Sequence, residues 1–288
     1  MKIRKALIPV AGLGTRFLPV TKTIPKEMLP IVDKPSIQYI VEEALLSGIK
    51  QIIFINSHAK SAIEDHFDTH LELETILKER KQYALLKEMQ RLSQEVNIVT
   101  VRQKYPLGLG HAILCAKDIV GNEPFAILLG DDLVDARVPC LKQLIDIYNS
   151  EKASIIALME VPQNQTPLYG IAGVTPVKPG LFDIRSLVEK PAPAEAPSRL
   201  AVIGRYILKP EIFEHLEKTQ AGVGGEIQLT DGLKSLLSLE KILGYCYEGK
   251  RFDVGDKLGF LQANLYYGLR RTELRKALLE TLQSLSHE

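Results

Sequence analysis

Ala6-Leu-Ile-Pro-Val-Ala-Gly-Leu-Gly-Thr-Arg16 is the stretch from which the fold is read. An apolar run long enough for one buried strand feeds a glycine-rich turn. Open α/β sheets place ligands at the carboxyl ends of such strands. Gly12 and Gly14 let the backbone approach a phosphate and aim N–H groups at it. A dinucleotide fingerprint would need a third glycine where this chain has Phe17, and a helix beginning at once. Pro19 and Pro25 hold the following segment extended instead. The run continues to Pro25-Lys-Glu-Met-Leu-Pro30, which sets Lys26 in a proline-braced loop. A tight turn alone does not account for Arg16 and Lys26; a phosphate cradle with cations beside it does.

Outward from this stretch, apolar runs alternate with amphipathic segments. Strands are predicted at Ala6–Val10, Gln51–Asn56, Val96–Val101, Phe125–Leu129 and Ser154–Met159. Helices are predicted at Ile37–Leu46 and over residues 60–67, 70–93, 109–119 and 138–150. The alternation implies a parallel sheet covered by helices on both sides. After residue 160 prolines cluster at 162, 167, 176, 179, 191, 193 and 197, between short β-rich pieces, so a β-rich lobe is expected around 160–205. Glu226-Ile-Gln-Leu-Thr-Asp231 opens a helix, and a last helix is expected from Lys257 to Leu285. Leu258, Leu261, Leu265 and Leu269 in that helix suit either core or a subunit seam; the first half reads as core. No repeat marks an appended β-helix.

Composition narrows the function. The 288 residues are 45% hydrophobic and 25% charged with a net charge of +1, so no charge excess points to nucleic acid or a membrane. Cys115, Cys140 and Cys246 have neither metal nor disulfide spacing. No membrane-length apolar run or cleavage site is seen, and a soluble, cytoplasmic chain is expected.

Carboxylates follow the same logic as the glycine loop. Leu128-Leu-Gly-Asp131-Asp132 ends a buried strand, and Mg²⁺ takes one or two carboxylates together with substrate phosphates. Phe252-Asp253-Val-Gly255 offers another carboxylate after a strand. Leu187-Val-Glu189-Lys190-Pro191 alone reads as an exposed ion pair. Gly244-Tyr-Cys-Tyr-Glu-Gly249-Lys250 has phosphate-loop spacing, but Arg251 replaces the required Ser or Thr. His66 and His70 lack the acidic partner of a zinc motif and read as helix surface.

Together these pieces resemble the sugar-phosphate nucleotidylyltransferases over nearly the whole chain. The resemblance is carried by Ala11-Gly-Leu-Gly-Thr-Arg16, Pro25-Lys-Glu-Met-Leu-Pro30, Val101-Arg-Gln103, Gly108-Leu-Gly-His-Ala112 and Gly130-Asp-Asp132. It extends through Tyr169-Gly-Ile171, Val188-Glu-Lys-Pro191, Ile203-Gly-Arg-Tyr206, Gly225-Glu-Ile-Gln-Leu-Thr-Asp231 and Phe252-Asp-Val-Gly255. Lys26-Glu27-Met28 is more like the uridylyl members than the thymidylyl ones, which tend to carry Gln at the Glu27 position. Leu107 departs from the lysine usual before Gly108.

The resemblance implies a Rossmann-like mixed, mostly parallel sheet flanked by helices, with a β-rich sugar-binding lobe. That is the nucleotide-diphospho-sugar transferase fold. It implies one domain over 1–288: a nucleotide-binding part to about 160, a sugar-binding part over about 161–256, and a C-terminal helix from about 257. The implied reaction is transfer of UMP from UTP to α-D-glucose 1-phosphate, giving UDP-glucose and pyrophosphate. It proceeds by Mg²⁺-assisted in-line displacement without a covalent intermediate. A thymidylyltransferase or a non-catalytic nucleotide-sugar sensor are the alternatives. In the family pattern Ala11, Gly12, Leu13, Gly14, Thr15 and Arg16 hold the triphosphate, with Lys26 at the reacting phosphate. Glu27, Gln103 and Gly108 line the uridine pocket, and Asp132 joins the nucleotide contacts, although it could also face the sugar phosphate. Asp131 and Asp253 carry Mg²⁺; Gly170, Glu189 and Gly204 face the glucose, and Lys190 faces its phosphate. The catalytic set is Arg16, Lys26, Lys190 and Asp131, and a homodimer or homotetramer is implied.

Overall fold

The computed structural model describes residues 2–58, 60–222 and 225–285. Its strands are β1 (Lys5–Pro9), β2 (Pro30–Ile31), β3 (Lys34–Pro35), β4 (Gln51–Asn56), β5 (Ile98–Arg102), β6 (Phe125–Leu128) and β7 (Asp132–Asp135). They continue as β8 (Ser154–Glu160), β9 (Gly170–Lys178), β10 (Leu181–Glu189), β11 (Leu200–Leu208), β12 (Ile242–Cys246) and β13 (Lys250–Asp253). The helices are α1 (Ser36–Leu46), α2 (Ser61–Asp65), α3 (Leu71–Glu79), α4 (Tyr83–Glu95), α5 (Leu109–Leu114) and α6 (Lys117–Val120). After them come α7 (Cys140–Glu151), α8 (Ile212–Lys218), α9 (Leu229–Leu237), α10 (Lys257–Arg270) and α11 (Thr272–Leu285).

Nine strands form one mixed sheet in the order β5-β4-β1-β6-β11-β8-β12-β10-β9. β1 is parallel to both β4 and β6, and β4 is parallel to β5. Successive side chains of a strand point to opposite faces, and β1 shows the consequence. Ala6 and Ile8 enter a core built with α1 and α7, while Leu7 enters the opposite core with α5, α8 and α9. Ile52 and Phe54 divide from Ile53 and Ile55 in the same way on β4. Each fully buried side chain of this size contributes about 1.5–3 kcal/mol. This explains why both strands are apolar at every internal position.

The segment expected as an inserted lobe is part of this sheet. β11 runs antiparallel between β6 and β8 at its centre, and β9 and β10 form its far edge. The prolines lie mainly in the connections and therefore do not interrupt the ladder. The single helix expected over 70–93 is a hairpin. Lys81 adopts φ 56, and the Gln82 N–H donates to Leu77 O at 2.9 Å, so α3 and α4 turn back on each other with Leu77 and Leu92 buried. The helix over 109–119 is likewise divided into α5 and α6 by a tighter turn in which the Ala116 N–H donates to Ile113 O.

The C-terminal helix also breaks. Arg271 is extended (φ −83, ψ 121) and separates α10 from α11. The reading of its leucines as core is overturned: Leu258 is 65% exposed and Leu261 59%. The buried face is Gly259, Ala263 and Gly268, because α10 lies too close to its neighbours for larger residues. A Cβ at Gly259 would stand 1.9 Å from Asp253 O. The Gly244–Lys250 segment is a strand end and turn between β12 and β13, not a phosphate loop. Among the described residues no helix is long and apolar enough to cross a membrane.

Candidate active site

The first cavity opens where β1 ends. The Val10 N–H donates to Ile55 O at 2.9 Å and carries the backbone just past the sheet edge. Gly14 then takes the left-handed conformation (φ 67, ψ 27) that favours glycine. Its carbonyl accepts from Thr21 Oγ1 at 2.8 Å. Three short 3₁₀ turns follow, Thr15–Phe17, Val20–Lys22 and Lys26–Met28, in place of the extended segment expected there. The loop thus lacks the macrodipole of a long helix, and side-chain cations must carry the electrostatics.

The cavity measures about 480 Å³ and is lined by Ala11, Gly12, Leu13, Gly14, Thr15, Lys26, Glu27, Gln103, Gly108 and Asp131. A second cavity of about 220 Å³ is lined by Arg16, Asp131, Asp132, Gly170, Glu189, Gly204 and Asp253. Asp131 borders both. Most of the sequence-predicted residues are therefore gathered into two adjoining spaces. Two, Arg16 and Lys190, are placed differently from expectation. Arg16 reaches the second cavity, with Nη1 3.5 Å from Gly255 O. Asp132, expected among the nucleotide contacts or facing the sugar phosphate, lines the second cavity, and both its oxygens are engaged by Arg251 and the Gly204 N–H. The Lys190 side chain is 62% exposed, lies 3.6 Å from Glu189, and lines neither cavity.

Charges at the junction are tightly arranged. Lys26 Nζ donates to Asp131 Oδ2 at 2.7 Å. Burial works to depress the lysine, but Asp131, Glu27 and Asp253 outweigh it and hold its pKa above the usual value. Burial works to raise Asp131, yet Lys26 keeps that carboxyl ionised below the usual range. Glu27 is raised by its own burial, against the pull of Lys60, whose Nζ lies 2.9 Å from Glu27 Oε2. Lys60 also donates to Val10 O at 2.6 Å, which ties Glu27 to the start of the glycine loop.

The donor set fits a hard divalent cation. A Cβ at Gly255 would lie 2.7 Å from Asp131 Oδ2 and 3.0 Å from Asp253 Oδ1, so both carboxylates face one small space that only glycine leaves open. Among the described residues no group of three or more His, Cys, Asp or Glu forms a closed metal cage. Two carboxylates with room for phosphate oxygens is the arrangement Mg²⁺ favours. His66 and His70 have other roles: His66 pairs with Gln38 Oε1 at 2.9 Å, and His70 Nδ1 caps α3.

Sequence reasoning missed the residues that hold this junction. Asp253 of β13 stands directly opposite Asp132 of β7, two like charges across one ladder. Arg251, two positions from Asp253 and so on the same strand face, pairs with both. Its Nη1 also donates to Tyr169 Oη at 3.3 Å. Arg205 is completely buried in β11, clasps Glu43 of α1 through both carboxylate oxygens, and donates to Asp132 O and Gly204 O. For Arg205 the signal was present, because an arginine inside an apolar strand needs a buried partner; the charged stretch Lys250–Asp253 gave no such signal for Arg251. Thr230 donates to Glu189 Oε2 at 2.9 Å and orients it in the second cavity. Leu107 contributes backbone, its carbonyl accepting from the Ile227 N–H at 2.7 Å, so the change from lysine leaves that contact intact.

A mixed sheet with a glycine cradle at the end of its parallel strand β1, paired lysine and carboxylates, and an adjoining polar cavity defines a phosphate-transferring class. Residues 5–268 match the nucleotidyl transferase family, and the chain belongs to that family. It is 50% identical over 284 residues to the UTP–glucose-1-phosphate uridylyltransferase of Bacillus subtilis, covering 99% of this chain and 97% of the relative. The UTP-bound UGPase from Acinetobacter baumannii superposes with a TM-score of 0.91 at 44% identity, covering 98% of this chain and 99% of that one. A UDP-glucose pyrophosphorylase complexed with UDP-glucose gives 0.86 at 44% identity, covering 93% and 100%.

Proposed function

We propose that the chain transfers UMP from UTP to α-D-glucose 1-phosphate, releasing pyrophosphate and forming UDP-glucose. The observation that carries the reading is the pair of adjoining cavities with Asp131 and Lys26 at their junction. Nucleotide and sugar phosphate occupy the first and second cavity, and the reacting phosphates meet between them. The names of the relatives favour uracil as the base and glucose as the sugar.

A sugar 1-phosphate is mostly dianionic at neutral pH, since its second pKa is about 6. It is a nucleophile without help from a general base. The obstacle is the approach of one anion to another, and phosphoryl-type transfer relies on positioning and electrostatics. The backbone from Ala11 to Thr15 binds the triphosphate, and Arg16 holds its outer phosphates from the side of the second cavity. Lys26 bears on the α-phosphate, where charge builds. Glu27, Gln103 and Gly108 line the base, while Gly170, Glu189 and Gly204 bound the glucose. Lys190 is long and exposed enough to swing to the incoming phosphate. Asp132 acts through structure, fixing the Asp131 loop to β11 and β13. Asp131 and Asp253 hold a divalent metal, Mg²⁺ in our reading. When bound, it neutralises phosphate charge and stabilises the departing pyrophosphate. A homodimer or homotetramer and a cytoplasmic location belong to the same reading.

Initial rates of pyrophosphate release, with glucose 1-phosphate and Mg²⁺, test it against UTP, dTTP, ATP, CTP and GTP in parallel. A strong preference for UTP, lost with EDTA, is expected. Equal release with dTTP would move the assignment to thymidylyl transfer. Tight UTP binding without turnover would make the chain a sensor.

A further inference from the structure

Gln103 follows the end of β5, and its backbone N–H donates to Asn56 O at 2.9 Å, which anchors it to β4. Its side chain lines the first cavity. The amide Nε2 stands 3.0 Å from Gly108 O and 3.0 Å from His111 Nδ1. An amide nitrogen carries two hydrogens, so both are directed into the protein. Oε1 accepts no hydrogen bond from a described residue. It is not sealed in either, because among the described residues the buried side-chain polar atom without a partner is Arg251 Nε. Gln103 therefore presents an acceptor, and only an acceptor, to the cavity.

The orientation is held from two sides. Turning the amide over would place Oε1 against the Gly108 carbonyl and the Nδ1 lone pair, acceptor against acceptor. Nδ1 accepts only when the His111 proton sits on Nε2, the neutral tautomer. His111 lies on α5 and does not itself line the cavity. The Cys115 Sγ, one helical turn further on, is 3.9 Å from the same Nδ1. Uracil carries an N–H donor at N3, where cytosine carries a lone pair. A locked acceptor pairs with the first and repels the second, whereas an amide free to turn serves both.

We infer that His111 is a positioning residue for nucleobase choice, acting by locking the Gln103 amide with its carbonyl oxygen toward the base. The inference rests on the uridylyl reading above. It concerns a residue that touches neither substrate.

The test compares kcat/KM for UTP and CTP in the wild type, His111→Leu and His111→Asn. Leucine removes the acceptor; asparagine replaces Nδ1 with Oδ1 at a similar reach. One neutral hydrogen bond is worth about 1 kcal/mol, or roughly a fivefold change in a ratio. The UTP/CTP ratio is expected to fall about fivefold or more in His111→Leu and to stay near wild type in His111→Asn, with KM for glucose 1-phosphate unmoved in both. If leucine does not fold, His111→Phe keeps a ring, lacks the acceptor and carries the same expectation. An unchanged ratio in the acceptor-free variant, or equal falls in it and His111→Asn, overturns the inference while leaving the uridylyl reading intact. A wild type that does not prefer UTP over CTP overturns both.

Discussion

Replacing Arg251 by methionine should destabilise the chain in a pH-dependent way. The arginine side chain is 9% exposed and its partner Asp132 only 5%. Breaking such a buried pair from one side costs about 3–5 kcal/mol, because the other charge is left behind. The pair with Asp253 adds little, since that carboxylate is 33% exposed and screened. What remains for Asp132 is the Gly204 N–H at 2.8 Å and the weaker pull of Arg205, against the like charges of Asp131 and Asp253. Burial already holds Asp132 above the usual aspartate range, and Arg251 is the main force drawing it down. Without Arg251 its folded pKa rises further. A carboxyl whose folded pKa exceeds its unfolded one costs stability while ionised. That cost disappears as the pH falls through the folded value toward the unfolded one. The deficit of Arg251→Met should thus be full near pH 8 and shrink toward pH 5. Urea unfolding at several pH values, read as a shift in midpoint at constant slope, measures it. A loss under about 1 kcal/mol, or one equally large at pH 5 and pH 8, refutes the assignment of Arg251 as the neutralising partner of Asp132.

Lys26→Ala should lower kcat by at least ~10²-fold, the order expected for a lost transition-state donor, and steady-state rates with both substrates check this. Lys190→Ala should chiefly raise KM for glucose 1-phosphate; a rise confined to KM for UTP would mean the two lysines are exchanged. Gly255→Ala should raise the metal concentration needed for half-maximal rate about tenfold or more, because its Cβ would stand 2.7 Å from Asp131 Oδ2. Gly255 has no left-handed φ, so its unfolding midpoint should move far less than its metal requirement.

The legible parts of the sequence were those where one physical rule acts alone. The apolar runs of β1, β4 and β6 could hardly be anything but strands covered on both faces. The glycine loop and Lys26 pointed to phosphate because no turn needs both. Position in the sheet was less legible: β11 looked like part of a lobe, and only tertiary pairing sets it between β6 and β8. Helix breaks at Lys81 and Arg271 carry no proline or glycine signal; packing of α3 on α4 and α11 on α10 decides them. The leucines of α10 misled because spacing gives a face but not which face is covered. Close approach selected Gly259 and Ala263 instead. In the site, single residues with distant partners stayed hidden. The contacts of Arg205 with Glu43 and of Lys60 with Glu27 span long stretches of chain, and spacing does not encode them.

Direct attack of the sugar phosphate on UTP is the centre of this account. Phosphorus NMR of the chain with UTP, glucose 1-phosphate and Mg²⁺, beside a sample lacking the sugar phosphate, tests it most directly. UDP-glucose and pyrophosphate in equal amounts are expected in the first sample, and unchanged UTP in the second. Stoichiometric pyrophosphate in the second, with uridylylated protein, would contradict it.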